Sequence, residues 1–302
     1  MAGGRWPVVS WGATLAEGAG GETIRSALTC AMEELRVARV ETPQLDAELL
    51  LAHTLGVTRT YLAAHLPDSL SPEHAAAFAE LVARREAREP LPYLLGRWEF
   101  LGLSFEVSPT VLIPRPETEG LVEAVAARVR PNARVLDVGT GSGCIAIGLA
   151  HLRPDLAVTA LEISPEAAAV ARRNAAALEV SDRVRVVEGA FPETALPGPF
   201  AAVVSNPPYI PTAMEKTLAP ELRLYEPRGA LDGGADGLTV LRALATRAGG
   251  LLEPGGLLAM EIGAGQEEQV LALLGEAGGW EGVEVLPDLA GIPRVVLAHL
   301  SR

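Results

Sequence analysis

Asn206-Pro207-Pro208-Tyr209 could do chemistry without an acid, a thiol or a histidine: it holds one amide, two prolines and one aromatic ring. Pro207 and Pro208 fix two successive φ angles and remove two backbone donors, and they push Asn206 and Pro207 towards extended conformations. What remains is a stiff platform presenting the Asn206 side chain, bare carbonyl oxygens and the Tyr209 ring. Acceptors beside a ring suit a planar nitrogen held by its N–H groups. The same residues could also form an ordinary strand-to-loop turn, so the rest of the chain has to decide.

A second candidate lies upstream. Val135-Leu136-Asp137-Val138 runs into Gly139-Thr140-Gly141-Ser142-Gly143-Cys144 and then an apolar helix. Glycines there permit a tight turn and close approach of a ligand, and the helix N-terminus offers N–H groups. The spacing is G-x-G-x-G, not the G-x-G-x-x-G dinucleotide fingerprint, and no Gly-Lys-Ser/Thr ending follows. Glu162 ends the next strand about twenty residues on, where an acid accepts hydrogen bonds from ribose hydroxyls. A nucleoside without a pyrophosphate is the expected ligand, and S-adenosylmethionine fits.

These residues need a frame. From Asn132 the sequence alternates strand, turn and helix, which predicts an α/β domain with a mostly parallel sheet. Strands are expected near Arg134–Val138, Ala157–Glu162, Val184–Glu188, Phe200–Asn206, Gly256–Ile262, Val283–Leu286 and Val295–His299. Helices are expected near 117–129, 143–151, 165–178, 236–250 and 266–278. Ahead of this domain, Trp98–Val107 alternates around Gly102 and reads as a β-hairpin linker spanning 96–116. Residues 22–95 read as a small helical bundle: Ile24, Ala27, Leu28, Ala31 and Leu35 recur at helical spacing. Further helices start after Thr42-Pro43 and Ser71-Pro72, and Leu91-Pro92 breaks the pattern. The arginines of this block are expected on a solvated face. Residues 1–21 lack a sustained period and are expected to be a disordered tail.

Composition narrows the partners. A net charge of −13 argues against a phosphate-tracking surface, because such binding rests on Lys and Arg. Cys30 and Cys144 form no metal motif and are expected to be small buried hydrophobes, and the five histidines make no cluster. No metal is expected. No apolar run reaches membrane-spanning length and no signal-peptide core is present, so a cytoplasmic location is expected.

Taken together, the motifs resemble the class I S-adenosylmethionine-dependent methyltransferases, and more narrowly the release-factor glutamine N5-methyltransferase family of HemK/PrmC type. The resemblance runs from about residue 24 to the end. It rests on Asp46–His53, Pro90–Gly96, Leu112–Glu119, Asp137–Gly143, Ser205–Ile210, Tyr225-Glu226-Pro227, Glu261-Ile262-Gly263 and Asp288–Gly291. It implies a Rossmann-like seven-stranded methyltransferase domain over residues 117–302 and a substrate-docking role for residues 22–95. It further implies donor binding by Gly139, Thr140, Gly141, Ser142 and Gly143, with Glu162 on the ribose, Phe191 against the adenine and Asn206 bordering the donor. Two departures stand out: Glu162 occupies a position that is most often Asp, and Ala190 one where many relatives carry an acid, with Glu188 the nearest substitute. Phe191 could equally be core packing.

By the same resemblance the planar nitrogen is a glutamine amide, in the Gly-Gly-Gln motif of class I peptide-chain release factors. The Asn206 oxygen and the Pro207 carbonyl would accept its two N–H groups, with Pro208 and Tyr209 completing the seat and Tyr209 packing on the amide plane. No general base stands out nearby, so proton loss would follow transfer. S-adenosyl-L-homocysteine would be the product. The alternatives are a ribosomal-protein glutamine methyltransferase, disfavoured by Pro116 where that group has Ser, and an amino-group methyltransferase on DNA or RNA. A non-enzymatic donor-binding module is a third.

Overall fold

Helix α1 (Ile24–Val37) buries Ile24, Ala27, Leu28, Ala31 and Leu35, the stripe read from the sequence. Thr23 starts it with a reciprocal cap: its hydroxyl accepts from Ser26 N, and Thr23 N donates to Ser26 Oγ at 2.9 Å. The structure, a computed structural model, describes residues 22–302. The disordered tail expected over residues 1–21 lies outside them. The chain divides into two compact units, one ending at Leu95 and the other spanning Gly96–Arg302.

In the first unit α1 is followed by α2 (Pro43–Leu55), α3 (Arg59–Ala64), α4 (Pro72–Glu86) and α5 (Leu91–Leu95). Leu35, Leu50, Leu51, Leu62 and Phe78 fill its core. One helix, α3, has no counterpart among the expected elements, and three expectations need correcting. The six residues of α3 are too few to show a period, although Thr58 caps them. Leu91-Pro92 opens a short helix rather than merely ending one, since proline is tolerated in a first turn. Cys30 is exposed because it falls off the α1 stripe.

Arg85 is also not on a solvated face. It is 6% exposed and its Nε donates to Asp46 Oδ2 at 2.7 Å, while Thr42 Oγ1 donates to Asp46 Oδ1 at 2.7 Å. A buried pair satisfied on both sides tolerates the low dielectric, but removing one partner strands a buried charge. Replacing Asp46 (D46A) should therefore cost about 3–5 kcal/mol in urea unfolding. A loss below about 0.5 kcal/mol, the surface range, would show the pair to be dispensable.

In the second unit a hairpin, β1 (Arg97–Phe100) with β2 (Leu103–Glu106), precedes α6 (Pro116–Arg128). Phe100 and Phe105 enter the main core beside Leu121 and Ile147. The chain then runs β3 (Arg134–Val138), α7 (Cys144–Leu152), β4 (Ala157–Glu162), α8 (Pro165–Ala177), β5 (Val184–Glu188) and β6 (Phe200–Ser205). After an irregular stretch that holds α9 (Pro220–Tyr225), α10 (Thr239–Arg247), β7 (Leu252–Glu261), α11 (Glu267–Ala277), β8 (Trp280–Pro287) and β9 (Pro293–Leu300) complete it. The seven main strands form one sheet in the order β5-β4-β3-β6-β7-β9-β8, and β9 alone runs against the rest.

Alternate residues of each strand feed opposite cores. Val135, Ala202, Val204 and Ala259 face α6 and α7, whereas Leu136, Val203 and Leu258 face α10 and α11. Both sheet faces are thus covered, which is why these strands read as continuous apolar runs. The chain winds outward from β3 to β5, then returns to place β6 on the other side of β3. That reversal leaves a crevice at the carboxyl ends of β3 and β6, the usual ligand position in such sheets. Asp137 pairs with Val204 in register, so the glycine loop and the Asn206 turn leave the sheet side by side.

Candidate active site

The loop after β3 is held open by its own polar groups. Gly139 N and Thr140 N both donate to Leu161 O, tying it to β4. Thr140 Oγ1 donates to Asp137 Oδ2 at 2.5 Å. Gly143 has φ +86, and a Cβ there would lie 2.9 Å from Ile147 Cδ1, so only glycine starts α7 this way. Above Gly139 and Gly141 a Cβ would meet nothing within 4 Å, leaving a bare backbone face. Ser142 Oγ and Asp137 Oδ1 are buried without a hydrogen-bond partner.

Glu162, at the end of β4, is only 7% exposed. Its Oε2 accepts from Gly141 N at 2.8 Å and its Oε1 from Ser164 N at 3.0 Å. One carboxylate thus bridges the glycine loop and the start of α8. Each oxygen keeps a second lone pair, so ribose hydroxyls can still be accepted. Phe191 is half-buried and packs against the α10–α11 core. Glu188 pairs with Arg172 at 2.6 Å on the surface, and Ala190 leaves no acid between it and Phe191.

The second wall is the Asn206 turn. Ser205 Oγ donates to Val138 O at 2.7 Å, locking the two strand ends together. Asn206 Nδ2 donates to Thr118 Oγ1 at 3.0 Å, and Thr118 Oγ1 donates to Glu261 Oε2 at 2.6 Å. Tyr209 OH reaches Glu261 Oε1 at 3.4 Å. Behind the turn, Gln266 Nε2 donates to Tyr209 O at 2.9 Å while its Oε1 accepts from Gly263 N. Gly233 backs onto the same turn: a Cβ there would come within 2.8 Å of Pro208 O and Gly237 O.

Arg115, Asn206, Pro207, Tyr209, Leu222 and Leu231 are among the residues that line a cleft at this turn. Arg115 Nη2 donates to Glu226 Oε1 at 2.5 Å, which fixes the Leu112–Arg115 segment to the cleft wall. Burial raises the Glu226 carboxyl above its ordinary value, with Arg115 opposing. The α9 segment that carries this wall is short and irregular, and periodicity gives no sign of it. Thr118, Glu261 and Gln266 are site residues that carry no chemical signal of their own in the sequence. The first two do lie inside the resemblance motifs.

Two buried acids here, Asp137 and Glu261, are held far above the usual carboxylate range. Burial pushes Asp137 up to about 7, opposed by the Thr140 hydroxyl and reinforced by the Glu162 charge. A carboxyl whose folded-state value is raised holds its proton more tightly than the unfolded chain does. Its stabilising contribution is therefore complete below the unfolded value of 3.8 and is lost as pH rises towards about 7. D137N should gain thermal stability relative to the native protein between about pH 5 and about pH 8, followed by scanning calorimetry. A difference in Tm that stays constant with pH would show Asp137 to be charged throughout.

Sheet order, the glycine loop at the reversal point and the acid after β4 define a class I methyltransferase domain. A methyltransferase from Pyrococcus furiosus shares the fold, with a TM-score of 0.51 and 23% identity, covering 67% of this chain and 91% of that one. Residues 26–96 match the family described as the PrmC N-terminal domain, and residues 116–224 match the methyltransferase small domain. The release factor glutamine methyltransferase of Moorella thermoacetica is 46% identical over 279 residues, 92% of this chain and 98% of that protein. Its counterpart in Geobacter sulfurreducens is 46% identical over 274 residues, 91% and 95% of the two chains. The chain belongs to the release factor glutamine methyltransferase family.

Proposed function

We propose that the protein transfers a methyl group from S-adenosylmethionine to the side-chain amide nitrogen, N5, of the glutamine in the Gly-Gly-Gln motif of class I peptide-chain release factors. One observation carries this reading: Asn206 Nδ2 is committed to Thr118, which leaves Asn206 Oδ1 to accept at a cleft beside the glycine loop. The donor fits the loop. The bare face over Gly139 and Gly141, the unpartnered Ser142 Oγ and the spare lone pairs of Glu162 are what a nucleoside with a polar tail requires. Gly139, Thr140, Gly141, Ser142 and Gly143 would hold it, with Glu162 on the ribose, Phe191 beside the adenine and Asn206 at its border. When bound, S-adenosylmethionine supplies an electrophilic sulfonium methyl and leaves as S-adenosyl-L-homocysteine.

The residues of this chain supply position. A glutamine nitrogen is a weak nucleophile because its lone pair is delocalised into the carbonyl. Asn206 Oδ1 and the Pro207 carbonyl accept its two N–H groups, Pro208 keeps the turn rigid and the Tyr209 ring packs on the amide plane. The lone pair would thereby be aimed at the methyl carbon of the bound donor; as the N–C bond formed, the S–C bond would break with its electron pair going to sulfur, and the surplus proton would then pass from the nitrogen to solvent water. Holding reactants in attack geometry supplies on the order of 7–11 kcal/mol in the best cases.

N206A should lower kcat on a class I release factor by about 100-fold while leaving donor affinity near native. E162A should do the reverse, weakening donor binding by about tenfold or more, as expected for a lost charge-assisted hydrogen bond of about 1.5–3 kcal/mol. Mass spectrometry of the glutamine and donor titration calorimetry read the two effects. Full transfer by N206A with intact donor binding would rule out the positioning mechanism. The same assay run with labelled donor on ribosomal proteins and on nucleic acid separates the alternatives; label confined to nucleic acid would overturn the assignment.

The helical unit over residues 22–95 is the docking surface for the release factor in this reading, the hairpin region 96–116 is the connector and 117–302 the catalytic domain. Deleting residues 1–95 should weaken methylation of whole release factor more than it weakens donor binding, and equal loss of both would point to a purely structural role. No direct nucleic-acid contact is part of the reading, in keeping with the net charge of −13. Among the described residues no helix is long and apolar enough to cross a membrane. A cytoplasmic location follows from a translation-factor substrate.

A further inference from the structure

An asparagine amide presents either an oxygen or an NH2 group to its ligand, and the two faces differ by a 180° flip. Only one face is productive here. If Asn206 turned its NH2 outward, it would meet the N–H groups of the glutamine donor to donor. Something has to fix the flip, and the turn residues themselves do not.

We propose that Glu261 and Thr118 are positioning residues for methyl transfer, acting in series to set which face of the Asn206 amide meets the substrate; this rests on the function proposed above. The polarity follows from the hydrogen-bond inventory. Above about pH 7, where Glu261 is ionised, it can only accept, so the Thr118 hydroxyl must spend its one proton on Glu261 Oε2, at 2.6 Å. Thr118 Oγ1 then has only lone pairs left for its other neighbour. The group it faces at 3.0 Å must therefore be the Asn206 NH2, and Oδ1 is directed to accept. The opposite flip would make Thr118 donate to Asn206 and leave a buried carboxylate oxygen unpaired, the costliest kind of unmade hydrogen bond.

Placement supports the assignment. Thr118 and Glu261 are each 1% exposed, so bulk solvent does not compete for their hydrogen bonds. They come from elements remote in sequence: Thr118 from the first turn of α6 and Glu261 from the last residue of β7. The other oxygen of Glu261 faces Tyr209 OH at 3.4 Å, so one carboxylate addresses both the amide and the ring of the platform. The groups facing Glu261 are Thr118 and Glu117 from α6, Tyr209 from the turn and Arg294 from β9, with the Cys144 thiol at the start of α7. Burial raises Glu261 to about 7, with Glu117 reinforcing and Thr118, Arg294 and Tyr209 opposing. Arg294 is itself engaged by Asp288 at 3.1 Å, and the Cys144 thiol is pushed up to about 12 and stays neutral. A protonated Glu261 could donate to Thr118 and reverse the whole series. Transfer should therefore weaken as pH falls through about 7.

The test uses the full-length enzyme, a class I release factor and S-adenosylmethionine. T118V and E261Q should lower kcat by about 10- to 100-fold with donor affinity changed by about twofold at most, whereas T118S, which keeps the hydroxyl, should stay within about threefold of native. In an N206A background, E261Q should cause almost no further loss, because its effect passes through Asn206. The acidic limb of kcat near pH 7 should be absent in E261Q. Native kcat in T118V, equal impairment of T118S and T118V, an undiminished E261Q effect on N206A, or a retained acidic limb in E261Q would each overturn the inference. Should E261Q fail to fold, the T118V and T118S pair decides alone. A native enzyme that leaves the release factor unmodified would instead overturn the underlying function, and with it this role.

Discussion

Two adjacent parallel strands, β3 and β6, end side by side, and the remainder of the second unit is built on that coincidence. Their register brings Asp137 opposite Val204, and the Ser205 hydroxyl bonded to Val138 O fixes it at the last residue of each strand. One strand then gives a glycine loop with a bare backbone face, the other a doubly proline-stiffened turn. Had β6 been placed beyond β5, the same two motifs would have lain at opposite edges of the sheet. The reversal in strand order places them at one crevice.

Burial of acids is the second constraint. Asp137, Glu162, Glu226 and Glu261 all lie at or near the site, and each is at most 7% exposed. A carboxylate taken out of water must find donors or give up its charge. Glu162 finds two backbone N–H groups, Glu226 finds Arg115, and Asp137 and Glu261 are pushed towards neutrality. Burial thus leaves each acid around the crevice either held by its donors or carrying a raised proton affinity. Gln266 and Gly233 complete it from behind by clamping the Tyr209 and Pro208 carbonyl region against the following loop.

Much of this was legible from residues alone where the signal is local. The α1 stripe, the β3–loop–α7 succession, the acid at Glu162 and the rigidity of Pro207-Pro208 each depend on neighbours within one or two turns of chain, and the strands appear where they were expected. Failures occurred where no local pattern exists. The six residues of α3 and the irregular stretch around α9 are too short for periodicity. Arg85 looks like one more surface cation until Asp46, 39 residues away, is seen against it. Cys30 looks apolar until the face of its helix is known.

The sequence by itself determined the kind of chemistry: a stiff acceptor platform, a glycine loop and a ribose-type acid follow from residue type and spacing, because backbone restriction by proline and glycine is a property of the chain. Which of these meet, and in which orientation, belonged to the tertiary structure. Thr118 and Glu261 lie 143 residues apart and acquire their relation to Asn206 only when α6 packs beside the end of β7. Hydrogen-bond direction depends on what each donor and acceptor faces after folding. An amide that is ambiguous in the sequence is therefore oriented in the fold.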